Sequence, residues 1–203
     1  MGKHCEEEEC VGFSYDVFIS FIGKDTGHNF IGHLRRELGR KGVETFKDDD
    51  SDLRIGEGVS AGRSEAIEES RVFIVVFSEN YASSTWCLDE LVSIMEQTDM
   101  SRKQVVFPVF YHVDPSDIRK EKNSFGKHMK SHQNKFGKEK MKAWRSALSE
   151  AVNFPGKHIT TGYVHQQFFF VLFFFFKMTI GTLNMKHLCL KLLSVGSVTS
   201  HQL

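Results

Sequence analysis

Val72-Phe73-Ile74-Val75-Val76-Phe77 is a run of six apolar residues set between Ser70-Arg71 and Ser78-Glu79. A strand with one wet face alternates apolar and polar side chains. A run with no polar residue has to be covered on both faces, which is the condition of a central strand in a parallel sheet. Parallel neighbours need crossover connections, so the surrounding chain has to supply helices on both sides.

The flanking sequence meets that demand. Tyr15 to Phe21 is a β-rich run ending at Gly23, and it predicts a first strand and loop. Asp25 and Thr26 stand where a helix cap belongs, and Phe30, Leu34 and Leu38 recur every four residues before Gly39 and Gly42. Val43 to Phe46 predicts a second strand, followed by a long acidic loop from Lys47 to Gly58. A weak helix is expected over about 60–70, where Gly62, Arg63 and Ser64 interrupt a stripe anchored by Val59, Ala66 and Ile67. Val72 to Phe77 is then the third strand. Ser83, Ser84 and Thr85 offer caps to a helix with Leu88, Leu91, Val92 and Met95 on one face. Val105 to Tyr111 predicts a fourth strand, with Asp114-Pro115-Ser116-Asp117 turning out of it. A polar helical stretch follows Ser124, and Met141, Trp144, Leu148 and Ala151 give a later helix one apolar face.

At 203 residues the chain suits one domain. Lys plus Arg and Asp plus Glu number 26 each, so no net field favours nucleic acid or an acidic membrane. The four cysteines (Cys5, Cys10, Cys87, Cys189) lack C-x-x-C spacing, and the start MGKHCEEEEC lacks the apolar core of a signal peptide. These features point to free thiols in a reducing, cytoplasmic setting, which would extend to the nucleus. Gly2 and Cys5 hint at acylation, but Glu6 stands where that pattern wants Ser or Thr. Residues 1–14 read as an acidic, disordered leader.

From about Thr161 the pattern is lost. Phe168 to Phe176 is apolar throughout, yet it is far shorter than the roughly 20 residues a membrane-spanning helix needs. Phenylalanine has T-rich codons, so this block and the unpatterned remainder of 161–203 suggest translated intron or a shifted frame. Sequencing the spliced transcript tests that hypothesis about the gene. Two metal readings are disfavoured. Asp48, Asp49 and Asp50 form a solvated charge run, since a phospho-acceptor Asp would belong where Ser78 and Glu79 stand. His128 and His132 lack a nearby third ligand.

Five blocks resemble plant TIR (Toll/interleukin-1 receptor) domains, in order and at family spacing. They are Tyr15 to Thr26 (YDVFISFIGKDT), Thr45 to Asp49, Ala66 to Arg71, Ser78 to Leu91 (SENYASSTWCLDEL) and Pro108 to Arg119 (PVFYHVDPSDIR). The resemblance covers about 140 residues, within a domain expected over 15–160. It implies an α/β, flavodoxin-like, doubly wound parallel sheet with strand order 2-1-3-4-5. It also implies signalling in plant innate immunity through self-association and contact with other TIR domains, and hydrolysis of NAD to nicotinamide and ADP-ribose products. NAD would be a substrate, with no prosthetic group. The family's catalytic glutamate maps onto Glu90. Trp86 and Cys87 precede it on neighbouring faces of the same helix, and the pocket wall would be Phe21, Ile22 and Gly23 with the Asp48–Gly58 loop that contains Gly56.

A lone carboxylate suits this reaction. The nicotinamide nitrogen carries its positive charge before it leaves, so no general acid is required; the oxocarbenium-like ribosyl centre is what needs stabilising. The helix dipole is expected to keep Glu90 ionised. Each residue also has a plainer role: Glu90 as a dipole partner, Trp86 as core packing, Cys87 as a small buried hydrophobe.

Several positions depart from the family. Ile22 and Ile55 replace arginines that could meet dinucleotide phosphates, each contact worth about 1.5–3 kcal/mol. Such a shortfall lowers affinity on the order of a hundredfold, and a non-catalytic interaction module that co-assembles with intact receptors is the alternative. On the self-association helix, Gly32-His33 replaces a Ser-His pair. Arg63 and Ser64 replace two leucines. Pro155 to Ile159 resembles the last edge strand, and the sequence beyond it has no counterpart of the family's final helix, which leaves an edge and an apolar face to be covered.

Overall fold

The computed structural model describes residues 13–26, 30–46, 61–98, 104–160 and 172. Its elements run β1 (Tyr15–Ser20), α1 (Gly23–Thr26), α2 (Gly32–Arg40), α3 (Ala61–Glu68), β2 (Ser70–Phe77), a 3₁₀ turn (Tyr81–Ser83), α4 (Thr85–Gln97), β3 (Val105–Tyr111), α5 (Pro115–Arg119), α6 (Asn123–Gln133), α7 (Lys138–Ala151) and β4 (Lys157–Ile159). The four strands form one parallel sheet in the order β1-β2-β3-β4.

The apolar run is the centre of that sheet. Alternation divides its side chains between two cores. On one face Phe73, Val75 and Phe77, with Phe18, Val106 and Phe110, meet Ala66 and Ile67 of α3, Leu88, Leu91 and Ile94 of α4, Phe125 and Met129 of α6, and Trp144 and Leu148 of α7. On the other face Val72, Ile74 and Val76, with Val17, Ile19, Phe107 and Val109, meet Phe30, Ile31, Leu34 and Leu38. All six residues of the run are fully buried. Each such aliphatic or aromatic side chain contributes about 1.5–3 kcal/mol relative to exposure, which is why this segment cannot sit at an edge.

Three local expectations are corrected. The predicted second strand is reduced to one parallel bridge, Val17 with Thr45. The chain leaves α2 through Gly42, at φ 73°, and reaches β1 with only Glu44 and Phe46 hydrogen-bonded to Asp16 and Val17. So short a contact satisfies too few backbone groups to make a strand. It lies on the open side of β1, so the spatial order is still the expected one, with a bridge in the outer position. Asp25 and Thr26 lie inside α1 and do not cap the following helix. Asp25 accepts hydrogen bonds from the Asn80 backbone (2.6 Å) and side-chain amide (2.7 Å), joining the loops after β1 and β2. The expected turn at Asp114 starts the short helix α5: Asp114 accepts from the Ser116 N–H at 2.7 Å and Pro115 occupies the first turn, the pairing that begins helices. Leu172, the described residue beyond β4 and its flank, is fully buried in the second core.

The expected last strand forms as β4, paired with β3 through Val109–Lys157, Phe110–His158 and Tyr111–Ile159. A Cβ on Gly156 would lie 2.5 Å from the Pro108 carbonyl oxygen, backbone that cannot swing aside. Gly156→Ala is therefore expected to detach β4. Hydrogen exchange should show lost protection at the His112 N–H, which donates to the Ile159 carbonyl at 2.9 Å.

Candidate functional site

The carboxyl end of β1, where open α/β sheets place their ligands, delivers Ser20 into the interior beneath α4. Ser84 caps α4 by accepting from the Cys87 N–H at 3.3 Å, which orients the helix's first turns over that strand end. Glu90 follows in the second turn. Its Oε2 accepts the Ser20 hydroxyl proton at 2.8 Å, across 70 residues of sequence. With that proton committed, Tyr81 is the donor toward Ser20 Oγ (2.9 Å), and it shares its proton with the Cys87 carbonyl oxygen at 3.0 Å. Burial first, then the neighbouring Cys87 and Glu90, push the Tyr81 hydroxyl well above its ordinary value, so it remains a neutral donor.

The other Glu90 oxygen is ion-paired with the guanidinium of Arg63 from α3. The two side chains are only 7% and 3% exposed. The guanidinium also lies 5.8 Å from the centre of the Phe18 ring and 5.9 Å from that of Trp86. Two sequence expectations change here. Glu90 lies beyond the first turn, where the helix dipole has faded, and the charge that meets it is Arg63. Arg63, read as an interruption of a weak helix, is a buried member of the site. Its position carries a signal: it falls three and four residues before Ala66 and Ile67, on the stripe that faces inward. A cation on a buried stripe requires an anion. Ser20 and Tyr81 carry no comparable signal, because both sit in runs that look like ordinary strand and loop.

Of the remaining candidates, Trp86 is half-buried one turn before Glu90. Its ring belongs to the same cluster through Arg63. Phe21, Ile22 and Gly23 are half-buried just past β1. Phe21 offers its carbonyl to the Cys87 thiol at 3.5 Å and its ring to Arg35 at 5.3 Å, and Ile22 packs against the core. Gly56, with Ile55 and the Asp48–Gly58 loop, lies outside the described residues. His33 is on α2, half-buried, 3.0 Å from an Arg36 nitrogen; a Cβ at the adjacent Gly32 would meet nothing within 4 Å, so the missing serine would fit. His132 is occupied structurally, with Nε2 donating to the Ala82 carbonyl at 3.0 Å and its ring against Trp144. A cavity of about 470 Å³ lies between α6 and α7, bordered by Phe136, Lys142 and Arg145, and none of the Glu90 cluster lines it.

Cys87 is 5% exposed. Burial, then the nearby Glu90 charge, push its thiol up to about 12. It should therefore resist iodoacetamide at pH 8 in the native protein and react once the chain is unfolded, which mass mapping of the labelled cysteines would read. Labelling at native rates typical of an exposed thiol would contradict the burial.

Known proteins give this geometry a family. The family model for the TIR domain matches residues 14–170. The chain is 52% identical over 147 residues to disease resistance protein RPV1 of Vitis rotundifolia, which is 72% of this chain and 10% of that protein. It is 49% identical over 146 residues to the TMV resistance protein N of Nicotiana glutinosa, 71% of this chain and 13% of that one. The chain thus spans about a tenth of the length of the curated relatives it matches. Among solved structures, the TIR domains of the activated Roq1 resistosome, which directly recognises the pathogen effector XopQ, align at TM-score 0.67 and 40% identity. That alignment covers 80% of this chain and 98% of theirs. Among the described residues no helix is long and apolar enough to cross a membrane. With the parallel sheet, the order of its strands and these likenesses in agreement, the chain belongs to the TIR-domain family.

Proposed function

We propose that this TIR domain serves plant innate-immune signalling in the cytoplasm by assembling with other TIR domains and hydrolysing NAD to nicotinamide and ADP-ribose products, with Glu90 as its carboxylate. The observation that carries this reading is Glu90 itself, held by Ser20 at the carboxyl end of β1 with Trp86 one turn away. In the reaction the bond from ribose C1′ to the pyridinium nitrogen breaks, its electron pair leaves with neutral nicotinamide, and water adds to C1′ and releases a proton. The protein's part is to place negative charge beside C1′ as the cation develops, and an oriented carboxylate out of bulk water is suited to that. Trp86 offers a flat surface for the departing ring. Assembly is supported by the likeness to TIR domains solved within a resistosome.

A second reading, a non-catalytic interaction module, is favoured by one specific observation: the Arg63 cation already neutralises Glu90. Incubating concentrated protein with NAD and following nicotinamide separates the two. The enzyme reading expects release that rises more steeply than protein concentration and is lost in a folded Glu90→Gln variant. Equal release from both proteins removes Glu90 from the chemistry, and no release at any concentration leaves the module.

A further inference from the structure

The site around Glu90 has the composition of a receptor for a planar organic cation. It has a carboxylate at one side, the Phe18 and Trp86 rings at distances where a cation is attracted by their π faces, and a hydroxyl, Ser20, orienting the carboxylate. The occupant in this chain is internal: the guanidinium of Arg63 is itself a flat, delocalised cation, and it fills the place with almost no exposure to solvent. A cation brought on the protein's own helix competes with any cation from outside at the high effective concentration of an intramolecular partner.

We propose that Arg63 is a built-in occupant of a planar-cation site formed by Glu90, Phe18 and Trp86, and that its displacement opens this site to pyridinium-type cations. The occupant sets which ligands enter and how tightly: a pyridinium ring must exchange with the guanidinium, and a small uncharged ring gains nothing from doing so. For NAD the consequence rests on the function proposed above, because the ring that Glu90 would serve is a pyridinium. Binding of the cation itself does not depend on that function. Arg63 is thus a positioning and selecting group, and it acts through Glu90.

The test uses the full chain with Arg63→Ala and, where that variant folds poorly, Arg63→Leu, which refills apolar volume but leaves the charge position empty. Guanidinium chloride at low millimolar concentration is compared with equal sodium chloride, and the N-methylnicotinamide cation, which has no ribosyl bond to cleave, is titrated against tryptophan fluorescence. Arg63→Ala should melt below the wild type and recover by several degrees in guanidinium, with little recovery in sodium chloride and none in a variant that also carries Glu90→Gln. N-methylnicotinamide should quench either Arg63 variant at a concentration at least about tenfold below that needed for the wild type. Quenching alike in wild type and variants, or recovery by sodium chloride equal to that by guanidinium, would overturn the proposal. Nicotinamide release from NAD, read in parallel, separates the two ideas. Cation binding gained with no release sustains the occupied site and counts against the hydrolase. Cation binding gained together with faster release in Arg63→Leu sustains both.

Discussion

Glu90→Ala is expected to lower the free energy of unfolding by about 3–5 kcal/mol, a large part of a typical domain's stability. The reason is the Arg63 charge left behind. Both partners are buried, and truncating one strands the other in a low-dielectric interior where water cannot replace the lost carboxylate. The Ser20 hydroxyl loses its charged acceptor in the same step and is left with the neutral Tyr81 oxygen 2.9 Å away, a weaker partner. Replacing both partners together, Arg63→Leu with Glu90→Leu, should by contrast be near neutral, because removing a buried pair also removes the cost of desolvating it. Urea denaturation of the wild type, the two single variants and the double variant gives a complete cycle, with a coupling well above the usual additivity error. Single variants as stable as the wild type would mean that solvent reaches the pair. This bears directly on any activity assay: an inactive Glu90→Ala protein could be merely unfolded, so Glu90→Gln, which keeps the shape and an oxygen for Ser20, is the informative substitution.

Trp144→Ala should cost a similar amount, about 3–5 kcal/mol, through a different mechanism. Trp144 is 1% exposed and closes the core where α7 meets α4. Its ring stands edge-on to His132 at 5.4 Å and Phe136 at 5.0 Å, so its removal leaves a cavity bordered by two aromatic groups that cannot both follow it inward. Trp144→Phe separates packing from hydrogen bonding. It retains most of the ring and loses the donation from Nε1 to Asp89 Oδ1 at 2.8 Å, while Lys140 still holds Asp89 at 2.9 Å. That variant should fall by about 1 kcal/mol for the hydrogen bond, with some further loss from the smaller ring. Equal losses in Ala and Phe variants would show that the bond to Asp89, and not the packing, secures α7.

The helices and strands that could be read in advance were those whose signal is local. Leu88, Leu91 and the Ser84 cap lie within a few residues of each other, and so do Met141, Trp144 and Leu148, so helical spacing alone gives their faces. The misread segments are those where a local signal had two outcomes. Asp114-Pro115 begins turns and helices equally well, and Val43 to Phe46 has the composition of a strand but makes only one bridge. Asp25 looks like a cap because Asp usually is one; its real partner, Asn80, belongs to a loop brought near only by the pairing of β1 with β2.

The same division runs through the site. That a parallel sheet forms around Val72 to Phe77, and that Glu90 rides on the helix after it beside Trp86 and Cys87, was determined by the sequence, because strand and helix periodicity are properties of neighbouring residues. Which groups meet the carboxylate was decided only in three dimensions. Ser20 arrives from the end of β1 and Arg63 from α3, and the crossovers of the sheet bring them together in a dry interior, where a charge must find its opposite and a hydroxyl its acceptor.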